Sequence, residues 1–492
     1  MSTSIPDAQT ADSILREKCR GLQSLDARLE DWMQRCMSDG ELFEKVQTLG
    51  SPLNVLSVAP FQRNIRRLDA IATERDLDFR VYFARKANKC QEFIHAARDS
   101  NAGLDTASLA ELEQCLQAGV SPQRLICTAA VKDLELLSRC VESDVVVAVD
   151  NNDELDHIAS VAAASNVSAK IALRISGFRH NDQKLHSRFG FDIDQLLSAA
   201  KRCTSIPVSI VGLHFHLDGY CAHQRISALR QLLPIVDELR EQGQPVEFID
   251  MGGGFPMSYL SDPSQWELFW KEHESALLMN RDPVTYRNHS LSKTVANGQV
   301  VGKANCYPYY QTLTSESWLS LILDAEYPLP QTFDEKQATS GALDANESSI
   351  ADALRARSLQ LRCEPGRSLL DGCGITVARI EFRKQHPDGY WFIGLSMNRT
   401  QCRTGSDDFL VDPILLRHDA APQQGEQEMC GYLVGAYCTE SELLTLRQLR
   451  FPAGVQVGDL VVFPNTAGYL MHFLESRSHQ FPLAENVFIE GA

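Results

Sequence analysis

The 492-residue sequence contains no uninterrupted apolar stretch of about 18 residues, the length that a helix needs to cross a bilayer. Its first twenty residues are polar and lack the apolar segment of a secretory signal peptide. Basic residues are also in deficit, because 47 lysines and arginines face 64 aspartates and glutamates, for a net charge of −17. Nucleic acids and anionic membranes require a basic surface, so we expect a cytoplasmic protein that binds neither and acts on small molecules.

The fourteen cysteines include no Cys-x-x-Cys pair. This scattered distribution favours reduced thiols in a reducing compartment over a disulfide framework or a structural zinc site. We therefore expect no metal.

The chain is too long for one compact core of ordinary size, and its pattern divides it into three parts. Residues 1–50 carry leucines at helical spacing between charges, which predicts an N-terminal helical extension of two amphipathic helices. Residues 51–373 alternate strand-like and helix-like segments. Residues 374–492 contain short β-rich runs and predict an antiparallel β domain.

The alternation of strands and helices predicts an α/β fold, with a parallel sheet closed into a (β/α)8 barrel. A Ser108-to-Glu111 spacing and a following Gly119 mark both ends of one helix. The predicted strands are 79–84, 124–127, 145–149, 170–175, 208–214, 246–250 and 359–363, and the predicted helices are 90–99, 108–118, 153–163, 192–201 and 224–241.

A long separation between the last two predicted barrel strands indicates an insertion at about 260–358. It contains an aromatic cluster at 307–310 and a Ser/Asp/Ala-rich tract at 331–352. We expect a partly ordered lid or arm with a mobile tail, and a lid or an added dimer contact would both fit the aromatic cluster.

Lys86 follows the apolar run 79–84 and precedes small residues. A lysine fixed at the end of a buried strand can form a Schiff base with an aldehyde. A structural lysine that extends its amine from the strand end to solvent fits these few residues as well. The remaining motifs must decide between the two interpretations.

Three further motifs follow predicted strands, where a barrel places its chemistry. His214 and His216 form a His-x-His pair, which suits a metal or, as we prefer, an imidazole stacked on an aromatic ring. Gly252, Gly253 and Gly254 allow backbone N–H groups to approach an anion, although glycine runs also form ordinary turns. Glu364 and Arg367 suit a protonated ring nitrogen and a phosphate, or form a surface ion pair.

Four motifs in this order resemble the alanine-racemase-like (fold type III) pyridoxal-phosphate decarboxylases, which include diaminopimelate and ornithine decarboxylases. The motifs are Phe83-Ala84-Arg85-Lys86-Ala87-Asn88, Gly212-Leu213-His214-Phe215-His216, Asp250-x-Gly252-Gly253-Gly254-Phe255-Pro256 and Glu364-Pro365-Gly366-Arg367. The segments 103–108 and 186–190 and Arg174 resemble further landmarks of that barrel.

The resemblance implies that Lys86 binds pyridoxal 5'-phosphate covalently and that His216 stacks on its ring. It implies that Glu364 pairs with the ring nitrogen, whereas alanine racemases place an arginine there. The other implied cofactor-binding residues are Asp105, Arg174, Gly252, Gly253, Gly254, Gly366, Arg367 and Tyr469.

The segment 435–442 resembles the cysteine-acidic segment that such decarboxylases contribute across a dimer interface. The resemblance implies a homodimer with shared active sites, in which Cys438 delivers the proton that replaces carbon dioxide. A buried, inert cysteine is the alternative for Cys438. Glu440, Arg403 and Tyr469 are the implied substrate contacts.

The sequence also departs from diaminopimelate decarboxylases. A threonine follows Cys438, the Arg-Pro-x-x-Tyr segment has no clean equivalent after Met397-Asn398, and no serine follows His216 closely. The acidic residues near Cys438 favour a substrate with a distal amine.

We therefore hypothesise a decarboxylase of a basic or diamino acid such as lysine, ornithine or diaminopimelate, in the D or L configuration. A siderophore or other secondary-metabolite intermediate is an alternative substrate. The alternative functions are an amino-acid racemase or epimerase on the same barrel, which Glu364 disfavours, and a non-catalytic regulatory relative, which the complete set of motifs disfavours.

Overall fold

The structure is a computed structural model that describes residues 8–327, 348–405, 409–418 and 427–489. Most of the Ser/Asp/Ala-rich tract at 331–352 therefore lies outside the described residues. The chain forms two compact units, one made of Gln62–Pro256 and Leu313–Leu369, and the other of Met1–Phe61, Met257–Thr312 and Leu370–Ala492.

The first unit is a closed barrel of eight parallel strands. The strands are β1 Phe79–Ala84, β2 Gly103–Thr106, β3 Leu125–Cys127, β4 Val146–Val149, β5 Ala169–Ser176, β6 Val208–Phe215, β7 Phe248–Asp250 and β8 Gln360–Cys363. Each strand pairs with its neighbours in the order β5-β6-β7-β8-β1-β2-β3-β4, and the pairing of Val147 with Ile171 joins β4 back to β5. This confirms the predicted (β/α)8 fold.

Helices connect the barrel strands, and several begin at a side chain that accepts a backbone N–H. Ser108 accepts from the N–H of Glu111, as predicted, but the Glu111 carboxylate accepts from Ala107 and not from Ser108. Asp133 and Asn151 cap two other helices in the same way. The connecting helices are Glu92–Asp99, Leu109–Gln117, Leu134–Glu142, Asn152–Ala164, Leu196–Cys203, Ala222–Glu241, Ser315–Leu323 and Ile350–Ala356.

The second unit is built on a nine-stranded sheet. Most of its strand pairs are antiparallel, but Trp391–Leu395 pairs in parallel with Met429–Val434, and Leu53–Leu56 pairs in parallel with Glu485–Phe488. The sheet is therefore mixed, whereas the sequence indicated a purely antiparallel one. Its other strands are Arg20–Gly21, Gly374–Gln385, Ile414–Leu416, Leu449–Phe451 and Leu460–Pro464.

The N-terminal extension contains three helices, Ala8–Arg16, Asp31–Ser38 and Glu41–Leu49, and not the two that the sequence indicated. Trp32 and Met33 pack in one hydrophobic core with sheet residues such as Val377. The extension is thus an integral layer of the second unit, since burying this apolar face offsets the entropy of ordering the helices.

The segment between β7 and β8 contributes elements to both units. Tyr307 and Tyr309 of its aromatic cluster are buried and pack with their rings 5.4 Å and 4.8 Å from that of Tyr259. These two tyrosines are therefore core residues of the second unit. The segment between β7 and β8 also contains the helix Pro263–Leu277 and the hairpin of Thr294–Ala296 with Gln299–Val301.

The remaining elements are short, apart from the helix Ala59–Thr73. They are the hairpin of Arg179–His180 with Gln183–Lys184, the strand Phe191–Asp192, and single 3-10 turns at Arg85–Ala87, Pro122–Arg124, Ile193–Gln195, Tyr286–Asn288, Arg399–Gln401 and Ser478–Gln480. Among the described residues, no helix combines the length and the apolar character that a bilayer span requires.

Candidate active site

The register of three adjacent barrel strands places three ionisable side chains next to one another across the sheet. Arg174 on β5 pairs with His214 on β6, and His214 pairs with Asp250 on β7. All three residues are buried. Because the strands are parallel, their carboxyl ends form one face of the barrel, and Lys86, His216, the glycine run and Glu364 all follow strands at this face.

Lys86 occupies the 3-10 turn Arg85–Ala87 that directly follows β1. Its Nζ lies 3.5 Å from Oδ2 of the buried Asp105, at the end of β2, while 42% of its side chain stays exposed. The hydroxyl of Thr128 donates to the other Asp105 oxygen. Asp105 is thus fixed from one side and can orient an amine on the other.

Arg174 is held by a carboxylate and an aromatic ring. Its Nη1 lies 3.5 Å from Oδ2 of Asp150, and both side chains are almost fully buried. Its guanidinium also lies 4.2 Å from the centre of the Phe189 ring. A buried cation of this kind adds positive potential to the interior of the site.

His216 is tied to the glycine run that follows β7. The backbone N–H of Gly253 donates to its Nδ1 at 3.2 Å, so that nitrogen carries no proton. Although His216 is partly exposed, desolvation by the surrounding barrel and then the nearby Lys86 ammonium lower its pKa to about 3. His216 is therefore a neutral imidazole at physiological pH.

The glycine run is compact and leaves no room for side chains. Gly252 and Gly254 adopt positive φ angles of 66° and 82°. A Cβ on Gly252 would lie 2.5 Å from the carbonyl oxygen of Phe215, and one on Gly253 would lie 2.8 Å from that of Glu364. The absence of Cβ atoms allows this loop to pack against its neighbours and present its backbone.

Glu364 follows β8 and completes a buried group with His214 and Asp250. One nitrogen or oxygen atom from each of the three side chains lies within 4.8 Å of the other two. His214 Nε2 lies 3.3 Å from Glu364 Oε1, but the two atoms form no hydrogen bond. Burial and then the Glu364 charge raise the pKa of Asp250 to about 7. Burial and then Asp105 raise the pKa of Glu364 as well. Two buried carboxylates this close do not both ionise readily.

The structure places the other predicted residues as follows. Gly366 is buried next to Glu364, and Arg367 is partly exposed. Cys438 and Glu440 are exposed in a loop of the second unit, so Cys438 is not a buried cysteine. In the same unit, Arg403 donates to the Leu443 carbonyl, and Tyr469 has a φ of +70° and packs edge-on against Phe473.

The residues of the barrel fit pyridoxal phosphate. Oε1 of Glu364 is buried without a hydrogen-bond partner, which suits a ring nitrogen. The N–H groups of Gly252 and Gly253 donate to Asp250 and His216, which leaves the N–H of Gly254, where a Cβ would also collide, as the backbone donor that suits a phosphate. The partly exposed amine of Lys86 lies at the same face.

Sequence reasoning missed Thr128 and Asp150, which hold Asp105 and Arg174. Thr128 directly follows β3 and Asp150 directly follows β4. A polar residue at the carboxyl end of a barrel strand was the only sequence signal that could have indicated a role in the site. The strand β2 was also missed, because its short Gly-Leu-Asp-Thr sequence has little β character.

Comparison with known proteins identifies the family. The family model described as "Pyridoxal-dependent decarboxylase, pyridoxal binding domain" matches residues 62–283. An uncharacterized protein of Sinorhizobium fredii is 31% identical over 445 residues, which are 90% of this chain and 88% of that protein. This chain belongs to the pyridoxal-dependent decarboxylases. Its cofactor is accordingly pyridoxal phosphate.

Other relatives of this decarboxylase have names that state an activity. The diaminopimelate decarboxylase of Pseudomonas aeruginosa is 28% identical over 45% of this chain, and the alignment covers 57% of that enzyme. The structure is similar to that of diaminopimelate decarboxylase from M. jannaschii in complex with L-lysine, with a TM-score of 0.65, 17% identity and coverage of 96% and 93% of the two chains. A lysine/ornithine decarboxylase from Vibrio vulnificus, complexed with putrescine, gives a TM-score of 0.64 at 17% identity, covering 94% and 99%.

The buried His214 of this decarboxylase makes its stability depend on pH. Burial, then Arg174, lowers the His214 pKa to about 4, below the value of about 6.5 for an unfolded histidine. The stability that its neutral form contributes is present above pH 6.5 and is lost as the pH falls toward 4. Between about pH 6 and 4.5, the free energy of unfolding of the cofactor-free protein should fall as the pH is lowered. We expect this slope to be smaller in His214→Gln than in the native protein, by about 1.4 kcal/mol per pH unit.

Urea unfolding at a series of pH values measures this difference. His186→Gln, at an exposed histidine, is the control and should follow the native curve. Parallel curves for the native protein and His214→Gln would contradict the expected titration.

Proposed function

We propose that this chain decarboxylates a basic or diamino acid, with Lys86 as the residue that holds the cofactor covalently. One observation supports this most directly: Lys86 and the Glu364 oxygen that makes no hydrogen bond belong to the same strand-end face as the glycine run. These are the amine, the carboxylate and the backbone donors that an aldehyde-bearing, phosphorylated pyridine requires.

Each barrel residue has a distinct role in the proposal. Asp105, fixed by Thr128, orients the Lys86 ammonium. His216 covers the ring as a neutral imidazole, and Glu364 holds the proton of the ring nitrogen. Gly252, Gly253, Gly254, Gly366 and Arg367 hold the phosphate, while Arg174 contributes positive potential beside Asp150.

When bound, pyridoxal phosphate supplies an electron-accepting ring for the electrons of the bond between Cα and the carboxylate. Glu364 would keep the ring nitrogen protonated, the state in which the ring would accept electrons best. A cation beside a buried carboxylate favours the ionised form of that carboxylate, so the ring nitrogen and Glu364 stabilise each other's charge. His214, Asp250 and Glu364 are also spaced as metal ligands could be, but Glu364 serves the ring nitrogen in this function.

The preference for a distal amine rests on the loop that carries Cys438. Glu440 is exposed and available to a ligand. Glu442 is not, because it is buried, accepts a hydrogen bond from the Arg399 N–H at 2.8 Å, and lies 3.6 Å from the Arg399 side chain. We therefore assign the distal amine to Glu440, with Arg403 and Tyr469 as further substrate contacts.

A panel of amino acids tests the reaction and the substrate class. With pyridoxal phosphate added, we expect carbon dioxide and the matching amine from at least one of D- or L-lysine, ornithine, arginine and meso-diaminopimelate, and none from L-glutamate. Cα inversion without carbon dioxide release would contradict the decarboxylase and favour a racemase. Release from glutamate alone would contradict the substrate class.

We also propose that the chain acts as a homodimer in which Cys438 of one subunit donates a proton in the site of the other. Cys438 and Glu440 are exposed, as residues that serve a partner subunit must be before assembly. A twofold dimer then carries two such sites.

Mixing two inactive variants tests this arrangement. Lys86→Ala and Cys438→Ala subunits, exchanged in equal amounts, should regain about a quarter of the native activity, because half of the dimers contain one site with both residues. Each variant refolded alone is the control. If subunits exchange but no activity returns, Cys438 does not act across the interface.

A further inference from the structure

Arg225 is a buried arginine close to the glycine run. It lies in the first turn of the helix Ala222–Glu241, and its side chain has no exposed surface. Its Nη2 donates to the carbonyl oxygens of Leu217 at 2.6 Å and Gly219 at 2.7 Å. Its guanidinium also lies 5.6 Å from the centre of the Trp318 ring. All of these contacts are with uncharged groups.

The positive charge of Arg225 therefore has no ion-pair partner among the described residues. Asp218, the acidic residue in the neighbouring loop, is exposed, and its charge favours the guanidinium without forming an ion pair with it. Its Nε is buried without a hydrogen-bond partner. Burial lowers the Arg225 pKa to about 10, so the guanidinium stays charged at neutral pH. A buried cation without an ion-pair partner favours an anion nearby.

The guanidinium lies directly behind Gly254. A Cβ on Gly254 would collide with Arg225 Nη2 and would lie 2.8 Å from the carbonyl oxygen of Gly219. The Arg225 charge also contributes to the lowered pKa of His216. The positive potential of Arg225 thus reaches both the last glycine of the run and the imidazole bonded to that run.

The loop 217–221 between His216 and the helix has no serine or threonine. It offers no aliphatic hydroxyl to an anion held at the glycine run. A positive charge behind the run would strengthen anion binding through the backbone without direct contact.

We propose that Arg225 is a positioning residue for the phosphate of pyridoxal phosphate, with its charge acting through the Gly252–Gly254 backbone. This inference rests on the proposed function, because it requires the cofactor at this face of the barrel. The competing interpretation is purely structural: the guanidinium would only hold the loop 217–221 in place.

Comparing pyridoxal phosphate with pyridoxal separates the two roles, because pyridoxal lacks only the phosphate. We expect Arg225→Met to raise the Kd for pyridoxal phosphate at least tenfold and the Kd for pyridoxal less than threefold, measured by equilibrium fluorescence titration. Arg225→Lys retains a charge but makes fewer hydrogen bonds, and should keep the ratio of the two constants within threefold of the native one. Equal weakening of both ligands, or no weakening, would overturn the proposal.

Arg240→Met is the matched control on the same helix. Arg240 also donates to carbonyl oxygens, those of Val246 and Arg357. Its loss should lower the melting temperature without changing the ratio of the two constants.

If Arg225→Met does not fold, Arg225→Lys decides alone, since a changed ratio in that variant would contradict a role for the charge. A native protein that binds neither ligand would instead refute the proposed function and this inference with it. A native protein that binds both equally would refute only the phosphate site.

Discussion

The close packing of the glycine run against the ends of two barrel strands is the constraint on which the site depends. Gly252 and Gly253 lie against the carbonyl oxygens of Phe215 and Glu364, where a Cβ would not fit. The N–H of Glu364 in turn donates to the Gly252 carbonyl at 2.8 Å. This packing sets the positions of His216, Asp250 and Glu364 relative to one another, because each is bonded to the run or adjoins it.

Burial then determines the charges at this face. Lys86 and Arg174 are paired with Asp105 and Asp150, respectively. Asp250, Glu364 and His214 instead form a buried group whose facing atoms make no hydrogen bonds. Burial favours the neutral forms of these groups. The barrel thus contains a buried carboxyl group whose ionised form is stabilised when a cation, such as a protonated pyridine nitrogen, lies beside it.

Motifs predicted much of the barrel site from sequence, because Lys86, His216 and Glu364 each follow a strand whose apolar run is easily recognised. Thr128, Asp150 and Arg225 were missed, since a single polar residue after a strand has no periodic pattern and its partner is distant in sequence. The mixed sheet was missed for a similar reason: the parallel pairing of Leu53–Leu56 with Glu485–Phe488 joins the two ends of the chain. Local patterns do not encode such long-range pairings.

Pyridoxal phosphate bound covalently to Lys86 can be trapped by chemical reduction. Protein loaded with pyridoxal phosphate is reduced with borohydride, digested and mapped by mass spectrometry. We expect one pyridoxyl label per chain, on Lys86. A label on another lysine with Lys86 unmodified, or a loaded protein that carries no label, would contradict it.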